Sequence, residues 1–154
     1  MQDFALPNGT VLRFTSEVAM LLEKYRQATP TSKEAGGMLF ARFNPQLITV
    51  ERATTPSRFD SRSRFAFRPS LAYQRKVILE QFRKGLHFIG EWHTHPQDQP
   101  QPSQQDIQTA RECLLQSQHE LNGMAIVVLG SDGTFATAWV GVISKIDIQR
   151  LSLA

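Results

Sequence analysis

Two histidines one residue apart, His93 and His95, are followed by a serine and an aspartate, Ser103 and Asp106. Side chains alternate along an extended segment, so both imidazoles point to the same side. The intervening stretch carries Pro96, Pro100 and Pro102 and cannot remain a regular central strand. It lets the chain reverse, and Ser103-Gln104-Gln105-Asp106 reads as the first turn of a helix that returns Asp106 to the imidazoles. Two neutral imidazoles and one carboxylate suit a single zinc ion and leave its fourth position open, the pattern of a catalytic rather than a structural site. A zinc in such a site brings the pKa of water to about 7.

Hydrolysis there also needs a proton acceptor and a donor for the oxyanion of the tetrahedral intermediate. Glu34, just ahead of Gly36-Gly37, is the candidate acid/base, and the Ser103 hydroxyl is the candidate donor. Other zinc chemistries fit worse. No His-Glu-x-x-His occurs, and the single cysteine, Cys113, excludes both a thiolate cluster and the deaminase Pro-Cys-x-x-Cys pattern.

Each fragment also has an ordinary reading. A His-x-His pair is often surface or core histidine, Ser-x-x-Asp can be a capping box alone, and Glu34 could be a solvated loop residue. The case rests on their conjunction. Glu91 shares the histidines' face and is either a support behind them or a surface ion-pair partner. His87 has the same parity, but six residues at about 3.3 Å place it roughly 20 Å away, so it reads as structural. Trp92 and Cys113 read as packing, and His119 as a residue favouring the dipole at a helix C-terminus.

The elements that must position these residues follow from local pattern. Asn8-Gly9 between Phe4 to Leu6 and Val11 to Phe14 predicts a β-hairpin. Thr15 or Ser16 caps a helix with Val18, Leu21, Leu22 and Tyr25 on one face, ending before Pro30. Gly36 to Phe43 and Leu47 to Ala53 form a strand pair, with Glu34 at its entry. A loop over 54 to 69 leads to a helix opened by Pro69-Ser70 and closed by Gly85. His87 to His95 is a strand, and the helix from Ser103 ends near Ser117. Ala125 to Leu129 and Thr134 to Val142 form a strand pair, which Ile143 to Ile148 extends. The fold class is α+β, a mostly antiparallel sheet with two long helices and one shorter one.

The length of 154 residues leaves room for one domain, spanning 1 to 154. No apolar run reaches the roughly 18 residues a membrane span needs, and no signal peptide precedes the domain, so a cytoplasmic protein is expected. A net charge of +3 does not argue for nucleic acid. Arg58, Arg62, Arg64 and Arg68 concentrate positive charge in the 54 to 69 loop, interleaved with Phe59, Phe65 and Phe67. That segment is either a solvated loop or a contact for an acidic partner.

The order Glu34, His93-x-His95-Pro96, Ser103, Asp106 resembles the JAMM, or MPN-plus, metallopeptidase motif. The resemblance extends to Glu34-Ala35-Gly36-Gly37 and to Gly90-Glu91-Trp92. It implies the cytidine-deaminase-like JAMM/MPN fold, with His93, His95 and Asp106 as zinc ligands, Glu34 as acid/base and Ser103 as oxyanion stabiliser. It implies cleavage after the C-terminal tail of a ubiquitin-like or sulfur-carrier protein. The tight turn at Ser131-Asp132-Gly133 leaves no room for a long insertion there and is similar to stand-alone bacterial forms. Gly90 to Pro96 is similar to the JAMM isopeptidases of antiphage (CBASS) operons, which implies a conjugated cyclic-nucleotide synthase as protein substrate. A carrier-precursor peptidase and a non-enzymatic MPN scaffold are the alternative readings.

Overall fold

A computed structural model describes residues 1–114 and 121–154. One sheet of nine strands runs in the order β10-β9-β8-β7-β3-β4-β2-β1-β11. At one end, β1 (Gln2–Ala5) and β2 (Val11–Phe14) form the expected hairpin, and β11 (Ser152–Leu153) adds to its edge. The centre consists of β3 (Gly36–Asn44), β4 (Leu47–Ala53) and β7 (His87–Thr94). β8 (Met124–Leu129), β9 (Trp139–Ile143) and β10 (Ile148–Arg150) complete the other end. Among the described residues only the β2/β4 and β7/β8 pairs are parallel, which agrees with a mostly antiparallel sheet.

Among the described residues, three helices cover the two faces. The shorter α1 (Ser16–Glu23) is capped by Thr15, whose side chain accepts from Val18 N–H. It buries Val18, Ala19 and Leu22 against one face. The longer α2 (Leu71–Arg83), capped by Ser70, and α3 (Gln104–Leu114) cover the other. Alternation along β8 separates the layers: Ala125, Val127 and Leu129 join the α1 side, while Met124, Ile126 and Val128 join the α3 side.

Several boundaries differ from expectation. α1 ends at Glu23, before Pro30 as expected but short of Tyr25, and beyond it the Gln27 amide donates to Ser32 O and Arg64 O. Residues 134–138 are not strand. Asp132 Oδ1 accepts from Thr134 N–H and from the Thr137 hydroxyl, closing a loop that drops Phe135 onto Phe4 and Phe14. Nor does the strand continue through Ile148, since Ser144 to Asp147 forms a turn that folds β10 back on β9. The loop over 54 to 69 contains a small separate hairpin, β5 (Ser61–Arg62) with β6 (Phe67–Arg68). The expected helix end near Ser117, and His119, lie outside the described residues.

Candidate active site

β7 carries Glu91, His93 and, just past its end, His95 on the face that α2 and α3 cover. Trp92 points the other way into the core, and its indole N–H donates to Thr54 O. Parallel pairing sets Glu91 beside Ile126 and His93 beside Val128. On the other flank Gly36 lies opposite His93 and Gly37 opposite Trp92. A Cβ on Gly37 would fall on the Thr54 carbonyl, so the Gly-Gly pair is what lets β3 approach β7 and Thr54 closely.

That approach brings Glu34 to the histidines. Glu34 N–H donates to Ser63 O (2.6 Å), and Glu34 O accepts from Arg62 Nε (2.9 Å). Its neighbour Ala35 donates to Thr94 Oγ1 (2.8 Å), while Thr94 N–H donates back to Ala35 O (2.9 Å). The Thr94 hydroxyl in turn donates to Gln27 Oε1. Two of the four loop arginines are thus engaged with the chain's own backbone, because Arg64 also donates to Pro30 O. Phe67 of the small hairpin packs edge-on against His93, with ring centroids 6.1 Å apart.

Glu34, His95 and Asp106 converge. His95 Nε2 lies 3.3 Å from Asp106 Oδ2 and 3.7 Å from Glu34 Oε1. Glu34, His93 and His95 are each less than a tenth exposed. Ser103 stands at the exposed rim and forms a reciprocal cap with Asp106: Ser103 N–H donates to Asp106 Oδ2, and Asp106 N–H donates to Ser103 Oγ. The capping box is therefore real, and it steadies Asp106 as it faces His95. The Ser103 oxygen accepts there, which leaves its hydroxyl hydrogen for another acceptor.

His93 stands apart from that trio. Its Nε2 faces Glu91 Oε2 at 3.5 Å, and its buried Nδ1 has no hydrogen-bond partner among the described residues. Consistent with this, no set of three His, Cys, Asp or Glu side chains among the described residues closes into a ready cation cage. The donor set nevertheless fits zinc in kind: two imidazoles, one of them with an orphaned buried nitrogen, and the Asp106 carboxylate. His87 is remote, as expected, and sits between the rings of Phe43 and Phe82.

Burial shapes the titration of these groups. It raises the Glu34 carboxyl above its usual 4.5, against the pull of His95 and His93. Burial also opposes ionisation of Asp106, but the His95 hydrogen bond, the His93 charge and the Ser103 N–H outweigh it and bring the pKa to about 2. For His93, burial lowers the pKa, yet the Glu91 contact and the charges of Asp106, Glu91 and Glu34 leave it raised. The Cys113 thiol is pushed up to about 12 by burial and by Glu91 and Glu112, which fits a packing role.

Residues 17–141 match the family described as prokaryotic homologs of the JAB domain. The chain belongs to this family. An Escherichia coli (strain TW11681) protein named CD-NTase/cGAS isopeptidase is 32% identical over 139 residues, which cover 88% of this JAB chain and 84% of that protein. A Pseudomonas aeruginosa protein of the same name is 31% identical over 99 residues, covering 62% of the chain and 63% of its relative. In fold, the chain is similar to a Desulfitobacterium hafniense protein solved in solution, with a TM-score of 0.62 at 21% identity over 90% of this chain and 88% of that one. No helix among the described residues is long and apolar enough to cross a membrane.

The positioning residues Thr94, Gln27 and Arg62 escape a reading by residue type. None bears chemistry of its own, and each acts through a backbone or side-chain partner distant in sequence. Only Thr94 had a usable signal, since it lies between the two histidines and points to the opposite face.

Proposed function

We propose that this chain is a zinc-dependent isopeptidase that releases a conjugated cyclic-nucleotide synthase by hydrolysing the bond after a protein's C-terminal tail. The observation that carries this reading is the meeting of Glu34 with His95 and Asp106, which come from separate segments of the chain. The CD-NTase/cGAS isopeptidase name of the relatives supports the substrate class.

His93, His95 and Asp106 would hold the ion, which would supply Lewis-acid activation of the water and the carbonyl. The chain's own groups do the rest. Glu34, raised by burial and held by Ser63 and Arg62 through its backbone, takes a proton from water as the water oxygen attacks the carbonyl carbon. Ser103 donates its hydroxyl hydrogen to the carbonyl oxygen from the rim. The carbon–nitrogen bond then breaks, and Glu34 returns the proton to the leaving amine.

The test offers zinc-loaded protein two substrates, a conjugated synthase and a sulfur-carrier precursor, with the Glu34→Gln variant as control. Release of free synthase by the wild type alone is expected. Cleavage of the carrier precursor only would move the substrate to the alternative peptidase class. Cleavage of neither by zinc-loaded protein would sink the enzymatic reading and favour a scaffold.

A further inference from the structure

Glu91 is a carboxylate beside the site that the proposed reaction does not use. Its location is unfavourable for a charge. It is 3% exposed, and its neighbours across the sheet are Met38 and Ile126, at 1% and 0%. A carboxylate walled by apolar strands is strongly disfavoured unless paired and hydrogen-bonded. A leucine would satisfy the packing between Met38 and Ile126 equally well, so core filling does not account for the residue.

Its contacts do. Oε1 accepts from Gln74 Nε2 of α2 at 3.4 Å and from Cys113 Sγ of α3 at 4.0 Å. Oε2 faces His93 Nε2 at 3.5 Å. One oxygen is therefore tied to the two helices, and the other to the imidazole. Glu91 also lines a groove of about 530 Å³ bordered by residues of α2 and α3. His93 keeps one nitrogen engaged and the other, Nδ1, buried without a partner among the described residues.

We propose that Glu91 is a positioning residue that presents His93 to the metal, an inference that rests on the metal-dependent reading above. A carboxylate facing one imidazole nitrogen restrains rotation of the ring, leaves the other nitrogen as the basic atom and makes the imidazole a stronger donor. Gln74 and Cys113 give that restraint its footing on the helices. Phe67 closes the ring from the hairpin side.

The experiment measures zinc dissociation constants by competition with a chelating dye for wild type, Glu91→Gln and Glu91→Leu, together with the melting temperatures of the chelator-stripped proteins. Glu91→Leu should lose about 10- to 100-fold in zinc affinity, and Glu91→Gln, which keeps a neutral acceptor, a smaller factor. Both stripped variants should melt no lower than the stripped wild type. If the leucine variant does not fold, the isosteric glutamine variant carries the comparison. Unchanged affinity in the variants beside normal wild-type uptake overturns this inference alone. A loss of affinity accompanied by a comparable drop in stripped melting temperature overturns it too, because Glu91 would then be merely structural. A wild type that takes up no zinc overturns the metal reading and this inference together.

Discussion

Thr94 and Ala35 exchange two hydrogen bonds, one from Ala35 N–H to Thr94 Oγ1 and one from Thr94 N–H to Ala35 O. The residue between the two histidines thus fixes the backbone that carries Glu34. Thr94→Val keeps the shape but leaves the Ala35 N–H and Gln27 Oε1 without their hydroxyl partner. The expected cost is about 1 to 3 kcal/mol of stability. Turnover should fall with zinc content unchanged, as measured by denaturant titration, metal analysis and steady-state assay. Full turnover in this variant would count against a positioning role.

Glu34→Gln should reduce turnover by roughly 10² to 10⁴-fold while retaining zinc. The same change should stabilise the fold. Burial raises the folded pKa of Glu34 above the unfolded value of 4.5, so the folded chain holds that proton more tightly. Stability therefore declines as pH rises through this window, and the ionised group is a burden at neutral pH. The chelator-stripped variant should melt above the stripped wild type at pH 7. That advantage should fade as pH falls through the folded pKa and vanish below 4.5. A lower melting temperature for the variant at pH 7 would contradict this account.

His95→Ala and Asp106→Ala should each abolish the uptake of one zinc per chain, read by mass spectrometry under native conditions. Retention of stoichiometric zinc in both would exclude them as ligands.

Ser103→Ala removes both a helix cap and the proposed oxyanion donor. It should cost about 1 kcal/mol of stability. The loss in kcat should be far larger than that implies, at about 10² to 10³-fold, with KM little changed. A loss of stability with normal kcat would leave Ser103 as a cap alone.

Gly90→Ala should be among the most damaging changes. Its Cβ would fall on the Ala125 carbonyl, where β7 and β8 run side by side. A loss of about 3 kcal/mol or more is expected, at the upper end for overpacking, and is measurable as the soluble yield and melting temperature of the variant.

Much of the site is legible in the sequence because its information is local. The parity of His93 and His95, the proline-rich reversal and the Ser103 to Asp106 cap each lie within a short stretch, and the structure realises each of them. Glu34 was recognisable only through its place before Gly-Gly, whose reason is the close approach of β3 to β7. What escaped was long-range. Whether Glu91 faced solvent or protein depended on α2 and α3, which cover its strand. The fate of Arg62 and Arg64 depended on where the small hairpin came to rest. Residues 134–138 have an apolar pattern that reads as strand, but Asp132 draws Thr134 and Thr137 into a loop instead.

The order of the sheet also bears on when this chain can act during its synthesis. β7, which bears the histidines, needs β3 on one flank and β8, reaching to Leu129, on the other. A nascent chain that has emerged from the ribosome only as far as Asp106 contains every proposed reactive side chain, yet lacks the strand that holds one flank of them. The candidate site is thereby left without one of its two flanking strands until the chain has been translated as far as Leu129.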